Sequence, residues 1–330
     1  MTDKKETVSV IIPNWNGEKL LRLCLNSLRA QSFQDFKVYV VDNGSVDQSI
    51  PLLEQEYPEV VILRHSENLG FSAAINTGIE QSRGPYIAAL NNDTETDPNW
   101  LETIVKTMDA HPEAGFCASQ LMDFTDRDTI DSLGDGFYPF GVSFKVGSRR
   151  QNNVCAVTEI QSACAAASVY RRDMLEKIGL FDPDFFAYME DIDLGLRAQM
   201  AGYRCIFVPG AIVYHMGSAS SGGTASAFSV RLTTCNAYQV ILKNVPALLI
   251  PLYLIFTFGT HCLAFVISLI IGKPRFLRTH WQAFFSGLLD ACKEARKSLH
   301  KRRKLANLRA ESTYGFLTTT IRTIRLNRSI

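Results

Sequence analysis

Short apolar, β-branched runs alternating with helical spacing constrain this chain more than any other feature. Val8 to Ile12 is such a run, ended by Pro13, and from Gly17 to Gln31 the residues Leu20, Leu21, Cys24, Leu25 and Leu28 fall at helical spacing. The pattern returns in Val38 to Val41, in Val60 to Leu63, in a helix from Phe71 to Gln81, and in Tyr86 to Leu90. Parallel strands need a crossover between them, so this alternation predicts an α/β fold with a mostly parallel, doubly wound sheet. Asp97-Pro98 predicts the start of a further helix, and Gly115 to Leu121 a further strand.

From Asp123 to Asn153 the periodicity fails amid Asp, Gly, Ser and aromatic residues, which predicts a long loop over the sheet. Small apolar residues from Ala163 to Tyr170 follow, then a short helix from Arg172 to Ile178 closed by Gly179. A helix from Glu190 to Ala201 and two short strands, Cys205 to Val208 and Ile212 to Tyr214, complete the body. A Gly/Ser-rich stretch, Gly217 to Gly223, separates it from a different kind of sequence. The net charge of +1 hides this division: residues 273–330 hold 14 Lys/Arg against 3 Asp/Glu, leaving 20 against 30 before them. Two regions are expected, 1–232 and 233–330. The eight cysteines are scattered without a C-x-x-C pair and read as reduced thiols, and the polar N-terminus predicts no signal peptide.

Ligands of open α/β sheets bind beyond the carboxyl ends of the strands, where three polar clusters stand. They are Pro13-Asn14-Trp15-Asn16-Gly17, Asp42-Asn43-Gly44-Ser45 and Asn91-Asn92-Asp93-Thr94. An aromatic ring stacks on a planar base and a carboxylate accepts a base N–H, so Trp15 and Asp42 suit a nucleobase, while Asp93 suits a divalent cation at a diphosphate. The plainer alternative is that Asn, Asp and Gly make turns. A fourth cluster, Tyr188-Met-Glu190-Asp191-Ile-Asp193-Leu, puts three acids at a helix start, a place that the helix dipole favours in any case. His215 follows a strand and is either structural or, beside Asp93, a metal ligand. No G-x-G-x-x-G follows the first strand and no G-x-x-x-x-G-K-[S/T] occurs, which argues against a dinucleotide-dependent oxidoreductase and a P-loop NTPase.

In order along the chain, Val8-Ser-Val-Ile-Ile-Pro-Asn-Trp-Asn-Gly, Val-Asp42-Asn-Gly-Ser, Glu67-Asn-Leu-Gly-Phe with Asn76, Leu-Asn-Asn-Asp93-Thr and Met-Glu190-Asp191-Ile-Asp-Leu resemble a family 2 glycosyltransferase of the GT-A fold. The resemblance covers Thr7 to Ser221, and within the family it is nearest to rhamnosyltransferase-like members, with the Lys243-Asn244-Val-Pro246 run continuing into hydrophobic sequence. It implies a nucleotide-sugar half, 1–112, and an acceptor half, 113–232. Donor contacts are implied for Pro13, Trp15, Asn16, Asp42, Asn68 and Asn92, and a Mn²⁺ or Mg²⁺ site for Asp93 and His215. Asn91 and Asn92 leave Asp93 the only carboxylate of its motif. Asp191 is implied as the catalytic base, in the ordinary carboxylate range near about 3.9, with Glu190 beside the acceptor. The expected partners are a nucleotide sugar, with deoxythymidine diphosphate rhamnose favoured, and a lipid-linked or polysaccharide acceptor, and no nucleic acid. The non-enzymatic alternative is a membrane-tethered scaffold that binds nucleotide sugar without turnover.

Val245 to Ile271 carries no formal charge. Its length suits one crossing of a membrane, but a crossing would put the basic tail on the far side, against the positive-inside preference. Pro246, Pro251 and Gly259 are expected to split the run into two pieces. A tail helix from Trp281 to Leu299 places Trp281, Phe284, Phe285, Leu288, Leu289 and Cys292 on one face, with Lys293, Arg296 and Lys297 on the other, a pattern suited to an anionic membrane surface. The expectation is a peripheral or monotopic protein at the cytoplasmic face of the cell membrane. Packing of these helices on the body, or on a second subunit as a homo-oligomer, is the alternative.

Overall fold

The computed structural model describes residues 5–139, 141–151, 154–217, 226–271, 274–308 and 313–330. The first half runs β1 (Val8–Asn14), α1 (Glu18–Arg29), β2 (Phe36–Asn43), α2 (Ser49–Glu56), β3 (Val61–His65), α3 (Phe71–Gln81), β4 (Tyr86–Leu90), β5 (Thr94–Thr96) and α4 (Trp100–Ala110). Then come β6 (Ala114–Asp123), β7 (Ile130–Ser132), β8 (Asp135–Phe137), β9 (Ser143–Lys145), β10 (Thr158–Ile160), β11 (Ala167–Arg171), α5 (Arg172–Ile178), α6 (Glu190–Met200) and β12 (Arg204–His215). Among the described residues four α-helices follow: α7 (Ala227–Asn244), α8 (Ile250–Ile271), α9 (Pro274–Leu305) and α10 (Thr313–Ser329).

The main sheet has the order β10-β12-β6-β11-β4-β1-β2-β3. Pairs β3/β2, β2/β1, β1/β4 and β6/β12 are parallel, whereas β11 runs antiparallel between β4 and β6. Strand alternation feeds two cores. Val8, Val10 and Ile12 pack with Leu21, Cys24 and Trp100 on one face, and Ile11 packs with Ile75, Ile79 and Phe181 on the other. The doubly wound architecture expected from the periodicity is therefore the one observed.

Several details differ. The aperiodic segment contains β7, β8 and β9, each of three residues, too short for a period of two to show. The two strands expected near 205–214 are one strand, β12, with an irregular register between Phe207 and Ile212 where Gly210 has a φ of +80°. The Gly/Ser-rich stretch lies, from residue 218 onward, outside the described residues.

Residue 232, the expected boundary, falls inside α7. This helix packs along α9 and also on the body, where its Ala237, Val240 and Ile241 share a core with Ile192 and Leu196 of α6 and Tyr253 of α8. The apolar run is not split: α8 is one helix of 22 residues. Pro251 sits in its first turn, where a missing N–H costs nothing, and Gly259 has open space around it. Among the described residues no helix is long and apolar enough to cross a membrane. The expected apolar face of the tail helix is divided, with Phe284 buried and Leu288 partly buried while Phe285, Leu289 and Cys292 are exposed.

Candidate active site

The three polar clusters converge because β1, β2 and β4 are parallel neighbours and end on one edge. There they border a cleft of about 910 Å³. Pro13, Trp15, Asn68, Asn92, Asp93, Glu190, Asp191 and His215 all line it. Trp15 is 44% exposed on the wall of the cleft. Asp42 and Asn16 are not among the lining residues. Asp42 accepts from Asn14 Nδ2 at 3.1 Å and from the Ser45 amide at 3.0 Å, and Asn16 accepts from the Val46 amide at 2.8 Å. Asn92 Nδ2 donates to Asn14 Oδ1 at 2.9 Å, tying the first and third clusters together. Gly17 is required beside this pair, since a Cβ there would stand 2.3 Å from Asn92 Nδ2 and 2.5 Å from Asn14 Oδ1. Asn68 accepts from the Gly70 amide at 3.0 Å and shapes the turn into α3.

Strand register brings Asp93 to His215. Thr94 of β5 lies opposite His215 of β12, and the Met216 amide donates to the Asp93 carbonyl at 3.0 Å. His215 Nε2 is 3.4 Å from Asp93 Oδ1, and both side chains are buried. On the other side His215 Nδ1 donates to Asp131 Oδ2 at 2.7 Å. Lys145 Nζ then donates to both oxygens of Asp131, at 2.7 and 2.8 Å. Burial opposes charge on His215, but its hydrogen bond to Asp131 and its close approach to Asp93 outweigh this and raise its pKa to about 9. Burial likewise opposes ionisation of Asp131, yet His215 and Lys145 lower it to about 2. A carboxylate oxygen and an imidazole nitrogen at this separation suit one hexacoordinate divalent ion, whose neighbouring ligands at ~2.1 Å stand roughly 3 Å apart. A carboxylate behind the far nitrogen is the usual support for a histidine ligand. The residues fit a divalent cation that, on binding, would displace the proton His215 otherwise carries at neutral pH.

Asp191 is the second residue of α6 and is partly exposed at the same cleft. Its Oδ1 accepts from the Ile192 amide at 2.8 Å and its Oδ2 from the Ala165 amide at 3.3 Å. Asp135 reaches it through a bridge: Asp135 and Ser162 exchange backbone hydrogen bonds, and Ser162 Oγ donates to the Asp191 carbonyl at 2.8 Å. Ligand atoms of Asp135, Cys164 and Asp191 lie within 4.8 Å of one another. The ordinary pKa expected for Asp191 is not what this environment gives. Burial raises it, and the two amide donors only partly oppose the rise. Burial and the nearby Asp191 charge push Asp135 well above the usual carboxylate range. Glu190 is raised too, by burial and by Asp191, and its Oε2 is buried without a hydrogen-bond partner among the described residues. Burial also pushes up the Cys164 thiol, which disfavours the thiolate a metal would need.

Asp131, Asp135 and Lys145 were not among the residues singled out from sequence. They sit on the three-residue strands of the aperiodic segment, where an acid has no pattern to mark it.

A family model described as glycosyl transferase family 2 matches residues 9–179, more than half of the chain. The chain belongs to this glycosyltransferase family. It is 29% identical over 233 residues to Glycosyltransferase AglE of Haloferax volcanii, covering 65% of this chain and 68% of that protein. It is 26% identical over 246 residues to an N-acetylglucosaminyl-diphospho-decaprenol L-rhamnosyltransferase of Mycobacterium tuberculosis, covering 67% of this chain and 79% of that one. The mannosyltransferase PcManGT from Pyrobaculum calidifontis, solved with GDP-Man and Mn²⁺, superposes with a TM-score of 0.54 at 18% identity, covering 99% of this chain and 87% of that one. At that identity the likeness shows the fold alone, of GT-A type with a helical C-terminal region; the family match makes the chain a glycosyltransferase-type enzyme.

Proposed function

We propose that this family 2 glycosyltransferase moves a sugar, with inversion, from a nucleoside diphosphate donor to a lipid-linked or polysaccharide acceptor in cell-surface glycan assembly. One observation carries the reading: Asp93 with His215, and Asp191 with Glu190, line a single cleft together with the exposed Trp15. Trp15 stacks on the donor base, with Pro13, Asn68 and Asn92 along the same wall, while Asp42 and Asn16 hold the loop that presents them. Asp93 and His215 would hold a Mn²⁺ or Mg²⁺ ion, which as a Lewis acid stabilises the charge of the departing diphosphate. Asp191 takes the proton of the acceptor hydroxyl as its oxygen bonds to the anomeric carbon and the bond to the diphosphate breaks. A carboxylate with raised proton affinity is a stronger base for that step than one in the ordinary range. Glu190, with an unmatched buried oxygen, orients the acceptor.

L-Rhamnose from deoxythymidine diphosphate is the favoured donor, and the rhamnosyltransferase relative is its support. Placement at the cytoplasmic face of a membrane, peripheral or monotopic, is supported by exposed apolar side chains on α8 and α9, among them Ile255, Phe258, Leu263 and Leu289, followed by a basic tail. A panel of nucleotide sugars, assayed for nucleoside diphosphate release with Mn²⁺ and a polyprenyl-linked acceptor, tests the proposal. Release from one donor is expected. Tight donor binding with no release from any would favour a non-catalytic sugar-nucleotide-binding protein.

A further inference from the structure

The turn that presents Asp191 is held from behind by α7. Tyr188 and Met189, immediately before Glu190, have φ values of +69° and +66°. Left-handed non-glycine residues are strained and persist only where their surroundings impose them. Asn236 supplies part of that hold: its Nδ2 donates to the carbonyls of Ala187 at 3.0 Å and Tyr188 at 2.7 Å.

Two helical turns further on, Lys243 and Asn244 return to the same side of α7. Lys243 Nζ donates to Asp193 Oδ2 at 2.9 Å and to Asp182 Oδ2 at 2.6 Å, and Asn244 Nδ2 donates to Asp193 Oδ1 at 2.7 Å. Arg197 Nε closes the cluster at 2.9 Å from Asp193 Oδ2. Asp193, Lys243, Asn244 and Arg197 are all buried. The segment is thus gripped on both sides of Asp191, by its carbonyls before and by Asp193 after. A buried ionic cluster is a poor source of stability compared with apolar packing of similar volume, and Val240 and Ile241 already supply apolar contact here. What the polar cluster adds is direction, because its donors fix the rotation and height of α6.

We propose that Asn236, Lys243 and Asn244 are positioning residues that set the place of the Asp191 carboxylate in the cleft. The assignment rests on Asp191 being the base, and it gives the Lys243-Asn244 pair a role that its own neighbourhood in the sequence does not reveal.

The test compares wild type with Asn236→Asp, which keeps shape but removes both N–H donors, and with Lys243→Met. Transfer kinetics and amide hydrogen exchange over residues 186–195 are measured on each. For Asn236→Asp, kcat is expected to fall ~10-fold or more with donor KM nearly unchanged, since misplacing a reacting group by 1 Å costs about 10²-fold. Exchange over 186–195 should quicken while the central strands stay protected. If Lys243→Met does not fold, Asn236→Asp carries the test. Wild-type kcat in a folded Asn236→Asp, or exchange unchanged over 186–195, would overturn the proposal. If wild type itself transfers no sugar, the functional reading has failed, and hydrogen exchange alone then judges the grip.

Discussion

His215 Nε2 stands 3.4 Å from Asp93 Oδ1, a contact made between residues 122 positions apart in the chain by the pairing of β5 with β12. Behind it, Asp131 takes the other imidazole nitrogen, so Nε2 is the nitrogen that faces Asp93. Removing Asp131 should therefore damage metal binding without touching a ligand. Asp131→Asn is expected to weaken Mn²⁺ affinity by ~10-fold or more, read by calorimetric titration of the folded protein. Unchanged affinity would make the Asp131–His215 contact irrelevant to the metal.

The expectations drawn from sequence match the observed elements where the signal is local. Strand ends, turn residues and the acidic helix start are all marked by neighbours a few positions away, and β1, β2 and β4 bring them together as the alternation requires. Asp131 and Asp135 escaped because their meaning depends on partners at His215 and Asp191, and the three-residue strands carrying them have no period. The pKa of Asp191 escaped for the same reason, since its burial and its neighbour Asp135 are tertiary facts. The splitting of the apolar run overweighted Pro251 and Gly259: a first-turn proline is neutral, and one helical glycine costs only about 1 kcal/mol.

Gly17 should be irreplaceable for a geometric reason. Its φ of −116° suits any residue, but a Cβ would collide with the Asn14–Asn92 pair. Gly17→Ala is expected to weaken binding of the nucleoside diphosphate by ~10-fold or more while the melting temperature falls only a few degrees, in the range of a ~1–3 kcal/mol overpacking cost. Isothermal titration and thermal unfolding measured on the same preparation check it, and a large fall in melting temperature with intact binding would contradict it.

Acid should loosen the C-terminal helices from the body. Burial works against charge on Asp182, but Lys243 and Lys301 outweigh it and hold the carboxyl well below its usual range. A carboxyl whose folded pKa is depressed contributes stability above its unfolded pKa, near about 3.9, and loses it as pH falls toward the folded value. Asp182→Asn should thus cost about 3 kcal/mol or more at pH 7, and the difference from wild type should shrink steadily below pH ~4. Denaturant unfolding at a series of pH values measures this, and a cost independent of pH would show that the charge is not the source.

The exposed apolar side chains of α8 and α9 should govern membrane affinity. Ile255 and Leu289 are 69% and 63% exposed, so replacing both with Asp should leave folding nearly intact. Co-sedimentation with phosphatidylglycerol-containing vesicles is expected to drop ~10-fold or more, each lost apolar group being worth about 1.5–3 kcal/mol when buried. Undiminished sedimentation would assign these faces to another surface.

The most direct test of the central claim is the kinetics of Asp191→Asn, which preserves shape and removes proton affinity. With the donor that supports wild-type turnover and Mn²⁺ present, kcat should fall by about 10²-fold or more while donor affinity, measured by titration, is unchanged. Wild-type kcat, or a loss of donor affinity matching the loss of turnover, would contradict the assignment of Asp191 as the base.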